Sequence, residues 1–227
     1  MRAIGSGRLA RSLAVACAAA ATAGLMALAG PAQAATQGPD AARFDLSSVG
    51  WTGSSVIVAG ADSSGDLYYW YQPQGTTTWH QQLVASGLDF DGTPQIDWAG
   101  STVIMAVPAD GGIDYFYQYA GTRPWHQQQV AAAGRHNYYG TAIGWTGSTV
   151  VIASVDESGD LDYFYQYAGT APWHEQQVSA AGVEYYDVPA IDWTGSSLIL
   201  ADLSVNGSLD YWWQAAGTRP WRSGIRM

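Results

Sequence analysis

Residues 65–72 read Gly-Asp-Leu-Tyr-Tyr-Trp-Tyr-Gln. In an extended chain Leu67, Tyr69 and Tyr71 fall on one face and Tyr68, Trp70 and Gln72 on the other. Both faces are bulky, so this predicts a strand covered on both sides. Its first face recurs as Ile113-Tyr115-Tyr117, Leu161-Tyr163-Tyr165 and Leu209-Tyr211-Trp213. A turn precedes each copy: Asp62-Ser63-Ser64-Gly65, Asp110-Gly111-Gly112, Asp156-Glu157-Ser158-Gly159 and Asn206-Gly207-Ser208. Such residues supply the positive φ of tight hairpins.

Further upstream, each copy carries a β-branched or aliphatic run (55–58, 102–105, 149–152, 197–200) behind Trp51, Trp98, Trp145 or Trp193. These tryptophans are 47, 47 and 48 residues apart, and a second Trp keeps step at 79, 125, 173 and 221. Self-similarity at this period marks a repeat architecture. Each unit holds four short strand-like segments bounded by turn residues, and helix has almost no support. The reading is all-β: a β-propeller-type repeat domain of four four-stranded blades, with wide aromatics filling the gaps between radially arranged sheets. The repeats run over about 44–90, 91–137, 138–185 and 186–227.

Residues 1–34 differ in chemistry. Arg2, Arg8 and Arg11 precede an apolar run from Leu13 to Gly30, and Ala32-Gln33-Ala34 offers a small-residue cleavage pattern. This predicts a signal peptide, a short linker over 35–43, the propeller domain over 44–227, and a secreted protein with no membrane attachment after cleavage. Cys17 follows only Leu13 to Ala16 of that run, too short for a lipoprotein signal. Beyond residue 34 there is no cysteine, hence no disulfide and no thiolate chemistry. That part of the chain sets six arginines and no lysine against 19 acidic residues, an excess of 13 negative charges. Such a surface repels phosphate backbones, which excludes nucleic acid as a partner.

The pattern of residues 65–72, followed by Gly75-Thr76 and Trp79, resembles the blade signature of bacterial and fungal lectin propellers of the fucose-specific and PLL-like types. It is more loosely similar to tachylectin and tectonin propellers. The resemblance covers all four repeats and implies a fold more than a ligand. Those families mostly use more than four blades, or complete a ring by oligomerising shorter chains. The fourth copy here ends six residues after Trp221, so three closures stand open: a four-blade ring, exchange of Ala41 to Ser48 into the last blade, or a homo-oligomer that completes the propeller.

Catalytic patterns are sparse. His80, His126 and His174 occupy one repeated position, whereas a catalytic group breaks repeat symmetry, and no H-E-x-x-H, G-x-S-x-G or P-loop is present. Asp97, Asp192, Asp162 and Asp210 could pair as a glycosidase needs, but they recur from blade to blade. The Asp62 and Asp156 turns lack the ligand alternation of a calcium loop. No catalytic residue, metal or cofactor is assigned.

Repetition fits glycan binding, since a sugar presents an apolar C–H face and a rim of hydroxyls to an aromatic beside polar groups. The candidates are Trp79-His80, Trp125-His126, Trp173-His174 and Trp221, with Gln82, Gln128 and Gln176 close by. Tyr138, Tyr139, Tyr185 and Tyr186 join them as aromatics expected, with Phe90, on connections between repeats. Several weak sites would act together on clustered glycans. The Trp51 and Tyr69 sets are read as packing between blades. A non-catalytic structural or protein-interaction propeller is the alternative function, and a glycoside hydrolase-type propeller the third.

Overall fold

The computed structural model describes residues 44–119, 124–132, 136–167, 172–179, 183–215 and 220–224. The signal peptide and linker expected over 1–43 lie outside them. Four antiparallel sheets of four strands follow one another along the chain, each with its strands side by side in chain order. The first holds β1 (Phe44–Trp51), β2 (Ser55–Asp62), β3 (Leu67–Pro73) and β4 (His80–Ala85). The second holds β5 (Gln95–Ala99), β6 (Thr102–Ala109), β7 (Gly112–Tyr119) and β8 (His126–Ala131). The third is β9 (Tyr138–Trp145), β10 (Thr149–Asp156), β11 (Leu161–Tyr167) and β12 (His174–Gln177). The fourth is β13 (Ala190–Trp193), β14 (Ser197–Leu203), β15 (Leu209–Ala215) and β16 (Arg222–Ser223). Among the described residues no helix forms.

Turn chemistry explains the hairpins. Thr146 Oγ1 accepts the Thr149 N–H at 3.1 Å, and Thr52 and Thr194 close the same turn against Ser55 and Ser197. Between β2 and β3, Asp62 Oδ1 accepts the N–H groups of Ser64 and Asp66, and Asp156 does the same for Ser158 and Asp160. Those carboxylates cap their own backbone as Asx turns do. The second sheet uses a two-residue turn instead, with Asp110 and Gly111 both at positive φ (54° and 72°), the signature of a type I′ hairpin.

Of the Ala41 to Ser48 segment expected to exchange into the last blade, the described residues 44–48 lie in β1 of the first sheet instead. β1 pairs with β2, placing Val49 opposite Val58 and Trp51 opposite Val56, because the tight Thr52 turn delivers it there. The fourth place in the last sheet is taken by β16, whose Arg222 lies opposite Trp213.

Strand alternation sends each sheet's two faces to different neighbours. The face carrying Ile57, Ala59, Leu67 and Tyr69 meets a face of the second sheet carrying Ile96, Val103, Met105 and Phe116. The opposite face of the second sheet, with Ile104, Ala106, Ile113 and Tyr115, meets Val150, Ile152 and Phe164 of the third. Val151, Ala153, Leu161 and Tyr163 then meet Leu198, Leu200 and Trp212 of the fourth. Each fully buried Ile, Leu or Phe contributes about 1.5–3 kcal/mol, so these three joints hold the molecule together. Four sheets are thus joined by three buried clusters. Among the described residues no fourth cluster joins the last sheet to the first.

Candidate functional site

The three joints carry the same aromatic wall. In the first, Tyr69 and Tyr71 lie two residues apart on β3 and stack at 5.6 Å between ring centroids. His80 is the cross-strand partner of Tyr71 and stacks on it at 4.7 Å, as directly opposed residues on one sheet face do. Trp125, from the second sheet, meets Tyr69 edge-on at 5.3 Å. The second joint repeats this with Tyr115, Tyr117, His126 and Trp173. The third uses Tyr163, Tyr165, His174 and Trp221.

The polar part is repeated as well. Gln118 Nε2 donates to Gln82 Oε1 at 3.1 Å across the first joint, and Gln166 Nε2 to Gln128 Oε1 at 2.9 Å across the second, where Trp173 Nε1 also donates to Gln128. The indole nitrogens of Trp125 and Trp221 are buried without a hydrogen-bond partner. The histidines stand exposed at the rim, and in the second and third joints exposed Tyr119 and Tyr167 meet Tyr117 and Tyr165 edge-on at 5.9 and 6.0 Å. Each wall therefore runs from a half-buried indole to an imidazole in water.

This grouping corrects the expectation that each Trp-His pair forms one site. Consecutive strand residues point to opposite faces, so Trp125 turns to the first joint while His126 turns to the second. The pairs that meet are His80 with Trp125, His126 with Trp173, and His174 with Trp221. Among the described residues Trp79 meets no other sheet, and it is 47% exposed. At the other end Tyr211 has no following Trp. There Trp213 stands where the other sheets have a second Tyr, and Arg222 replaces the His, its guanidinium 4.9 Å over the Trp213 ring.

The tyrosines expected on connections also divide. Tyr138 and Tyr139 belong to β9, and Tyr138 is buried, donating its hydroxyl to Asp162 Oδ2 at 3.2 Å. Tyr185 is likewise buried, and its hydroxyl donates to Asp210 Oδ2 at 3.0 Å. Tyr139, half-buried, donates to the Tyr185 carbonyl oxygen at 3.3 Å. These three close the seams between sheets, because each has a polar partner deep in the fold. Tyr186 alone of the four is exposed, and Phe90 is half-buried where it bridges to Ala109.

Buried carboxylates gather at these seams. Burial pushes the Asp162 carboxyl up to about 6, against the Tyr138 hydrogen bond that pulls it down. Asp202 is pushed up to about 7, again by burial, with the negative charge of Asp187 adding. His136 Nδ1 lies 2.7 Å from Asp156 Oδ2. Among the described residues no three acidic, His or Cys groups converge as a metal site would need.

A separate cavity of about 90 Å³ is lined by Asp97, Gly144, Trp145, Asp192 and Trp193, from the first strands of three sheets. Burial raises the Asp97 carboxyl and the neighbouring Asp192 charge raises it further. Each carboxylate accepts the N–H of the following tryptophan at 2.7 Å. The volume is far below the roughly 300 Å³ of a ligand pocket. It suits a few waters at about 30 Å³ each, not a sugar ring.

No family model matches the chain, and no curated protein matches it. Among solved structures, the BP39L lectin of Burkholderia pseudomallei superposes with a TM-score of 0.64 at 15% identity, over 79% of this chain and 54% of that one. The SapL1 lectin, solved with alpha methyl fucoside, gives 0.60 at 10% identity, over 79% and 63%. The six-bladed fucose lectin of Aleuria aurantia gives 0.54 at 16%, over 79% and 61%. This chain thus spans between half and two thirds of those lectins. A catalytic propeller, the Trypanosoma rangeli sialidase, matches at 0.56 and 11% identity, over 79% of this chain and 37% of the enzyme. At these identities the likeness establishes the β-propeller fold alone. It agrees with the lectin-propeller resemblance of residues 65–79.

Proposed function

We propose that this chain is a secreted, non-catalytic carbohydrate-binding propeller whose sites are the three aromatic walls between neighbouring sheets. The observation that carries the reading is their repetition: a Tyr-Tyr-His stack from one sheet and an indole from the next, three times over, with Gln side chains alongside. A sugar's C–H face fits an exposed ring edge or face, and its hydroxyls fit imidazole, phenol and amide groups. Each such site is shallow and weak. Three on one molecule act together on a clustered glycan.

The substrate class that suits these walls is a neutral hexose or deoxyhexose. Among the described residues the three walls carry no Arg or Lys side chain, and the surface is acidic. Lectins of the same fold bind fucosides, which makes L-fucose the first sugar to test. The sialidase likeness favours a catalytic reading only if paired carboxylates face a cleft wide enough for a glycosidic bond. Asp97 and Asp192 face a cavity too small for that. A purely structural propeller is the remaining alternative, favoured by the half-buried state of every wall tryptophan.

Titration with L-fucose, methyl fucoside, galactose and glucose, followed by tryptophan fluorescence and by retention on a glycan array, separates the readings. Binding that weakens in Tyr119→Ala and His126→Ala, with an unchanged circular dichroism spectrum, is expected. Absence of any sugar response at millimolar concentration refutes the proposal.

A further inference from the structure

The hairpin between β14 and β15 is capped differently from its counterparts. In the first and third sheets one carboxylate, Asp62 or Asp156, takes two backbone N–H groups of the turn. Ser204 stands in that place in the fourth sheet. Its N–H donates to the Ser208 carbonyl oxygen and its own carbonyl accepts the Gly207 N–H, as the backbone does in the other two turns. A hydroxyl brings one oxygen where a carboxylate brings two, and Asn206 supplies the second. Asn206 Oδ1 accepts the Ser208 N–H at 3.1 Å and the Ser204 hydroxyl at 2.6 Å. Asn206 and Gly207 are both exposed, whereas Ser204 is buried.

Of the two asparagines in the chain, Asn137 and Asn206, only Asn206 is followed by glycine. Gly207 has no side chain to shield its amide nitrogen, and its φ of 83° is one that other residues rarely adopt. A Cβ placed there would meet nothing within 4 Å, so the flank of that nitrogen is open. Asn206 Oδ1 lies between two donors, where negative charge gathers when the side-chain carbonyl is attacked. One contact opposes the attack. The Gly207 N–H is held on the Ser204 carbonyl oxygen at 2.8 Å and must let go first. That release is local, since Val205, Asn206 and Gly207 all face solvent.

We propose that Asn206 is a site of spontaneous modification, converted to aspartate and to its β-linked isomer through a cyclic imide. The Gly207 amide gives its proton to hydroxide, and its nitrogen attacks Asn206 Cγ. A C–N bond forms in the imide ring, the bond from Cγ to the side-chain nitrogen breaks, and ammonia leaves with a proton from water, which restores the hydroxide. Water then adds to either carbonyl of the ring and opens it. The aspartyl product keeps both hydrogen bonds on a stronger, charged acceptor. The β-linked product adds a methylene to the main chain between positions 206 and 207. It does so inside a turn that holds the third seam, because the Val205 N–H donates to the Glu184 carbonyl oxygen at 2.8 Å. Either product adds a negative charge to the molecule. The reaction is independent of any sugar bound at the walls.

The test is incubation of the purified protein at mildly alkaline pH, native and in parallel in urea, with peptide mapping by mass spectrometry at both asparagines. The expected result is conversion of Asn206 in the native protein at a rate about 5–30-fold below that in urea, the factor for one local opening. Asn137 should stay unchanged in the native protein, because Tyr138 follows it and its Nδ2 is held by Glu157 Oε2 at 2.6 Å. A new acidic species on ion exchange should accompany the conversion. Asn206→Ser, which gives this turn the residue type of Ser64 and Ser158, should abolish that species. Native protein in which Asn206 stays an amide while the urea sample converts fully overturns the proposal, since the turn would then protect the residue. Conversion of Asn137 at the same native rate also overturns it, because the selectivity argued from this turn would be absent.

Discussion

Asp202 offers the sharpest test of how the last joint is built. Its side chain is 4% exposed; Oδ1 accepts the Leu203 N–H at 2.7 Å and Oδ2 is buried without a partner. Burial, with Asp187 adding, moves its carboxyl from an ordinary 3.8 to about 7. A group so moved holds its proton about 4 kcal/mol more tightly in the folded state. The folded-state value lies above the unfolded one, so the folded protein binds the extra proton between about pH 4 and 7. Stability contributed by this residue is therefore greatest at acid pH and is lost as pH rises through that window. Asp162, pushed up to about 6, acts in the same direction. Asp202→Asn keeps the shape and removes the charge. Near pH 8 it should stabilise by up to about 4 kcal/mol, or about 2 kcal/mol once local relaxation and water entry are allowed for. That corresponds to a rise in Tm of about 4–8 °C for a domain of this size. Near pH 4 the two proteins should melt together. Thermal and urea denaturation at both pH values provides the measurement. A variant that is equally stable or less stable near pH 8 refutes the argument, since it would mean that the ionised carboxylate is well solvated or paired where the fold buries it.

Three further outcomes follow from the packing. Trp173→Ala removes a half-buried indole that contacts Tyr115 and Gln128, and should cost about 2–4 kcal/mol in urea denaturation. Trp79→Ala should cost less than about 1 kcal/mol, because that ring is 47% exposed; a loss as large as that of Trp173→Ala would contradict this exposure. Gly140→Ala would drive a methyl group into the Asp187 carbonyl oxygen, so a loss of about 1–3 kcal/mol is expected, and an unchanged Tm would place the third and fourth sheets further apart than described.

Much of this architecture is written in local periodicities. Alternation in 65–72 and its three echoes specifies strands with two covered faces, and the Thr-Gly and Asp-Gly turns specify where each hairpin closes. These are properties of neighbouring residues, legible without knowing what lies across a gap. The repeat then implies sheets of the same kind stacked side by side, and the lectin-like signature implies the propeller.

Which residues meet was decided only in three dimensions. Trp125 and His126 are adjacent in the chain and read as one site, yet the two-residue period of a strand sends them to different joints, and each wall is assembled from segments some 45 residues apart. Tyr138 and Tyr185 read as surface aromatics because their surroundings in the chain are polar; their hydroxyls reach Asp162 and Asp210, 24 and 25 positions away, and burial follows from those partners. The exposed end faces are of the same kind. Composition could announce four copies of one unit, but four copies have three joints between them, and only the stacking order reveals that a Val49 face and a Leu203 face are left over.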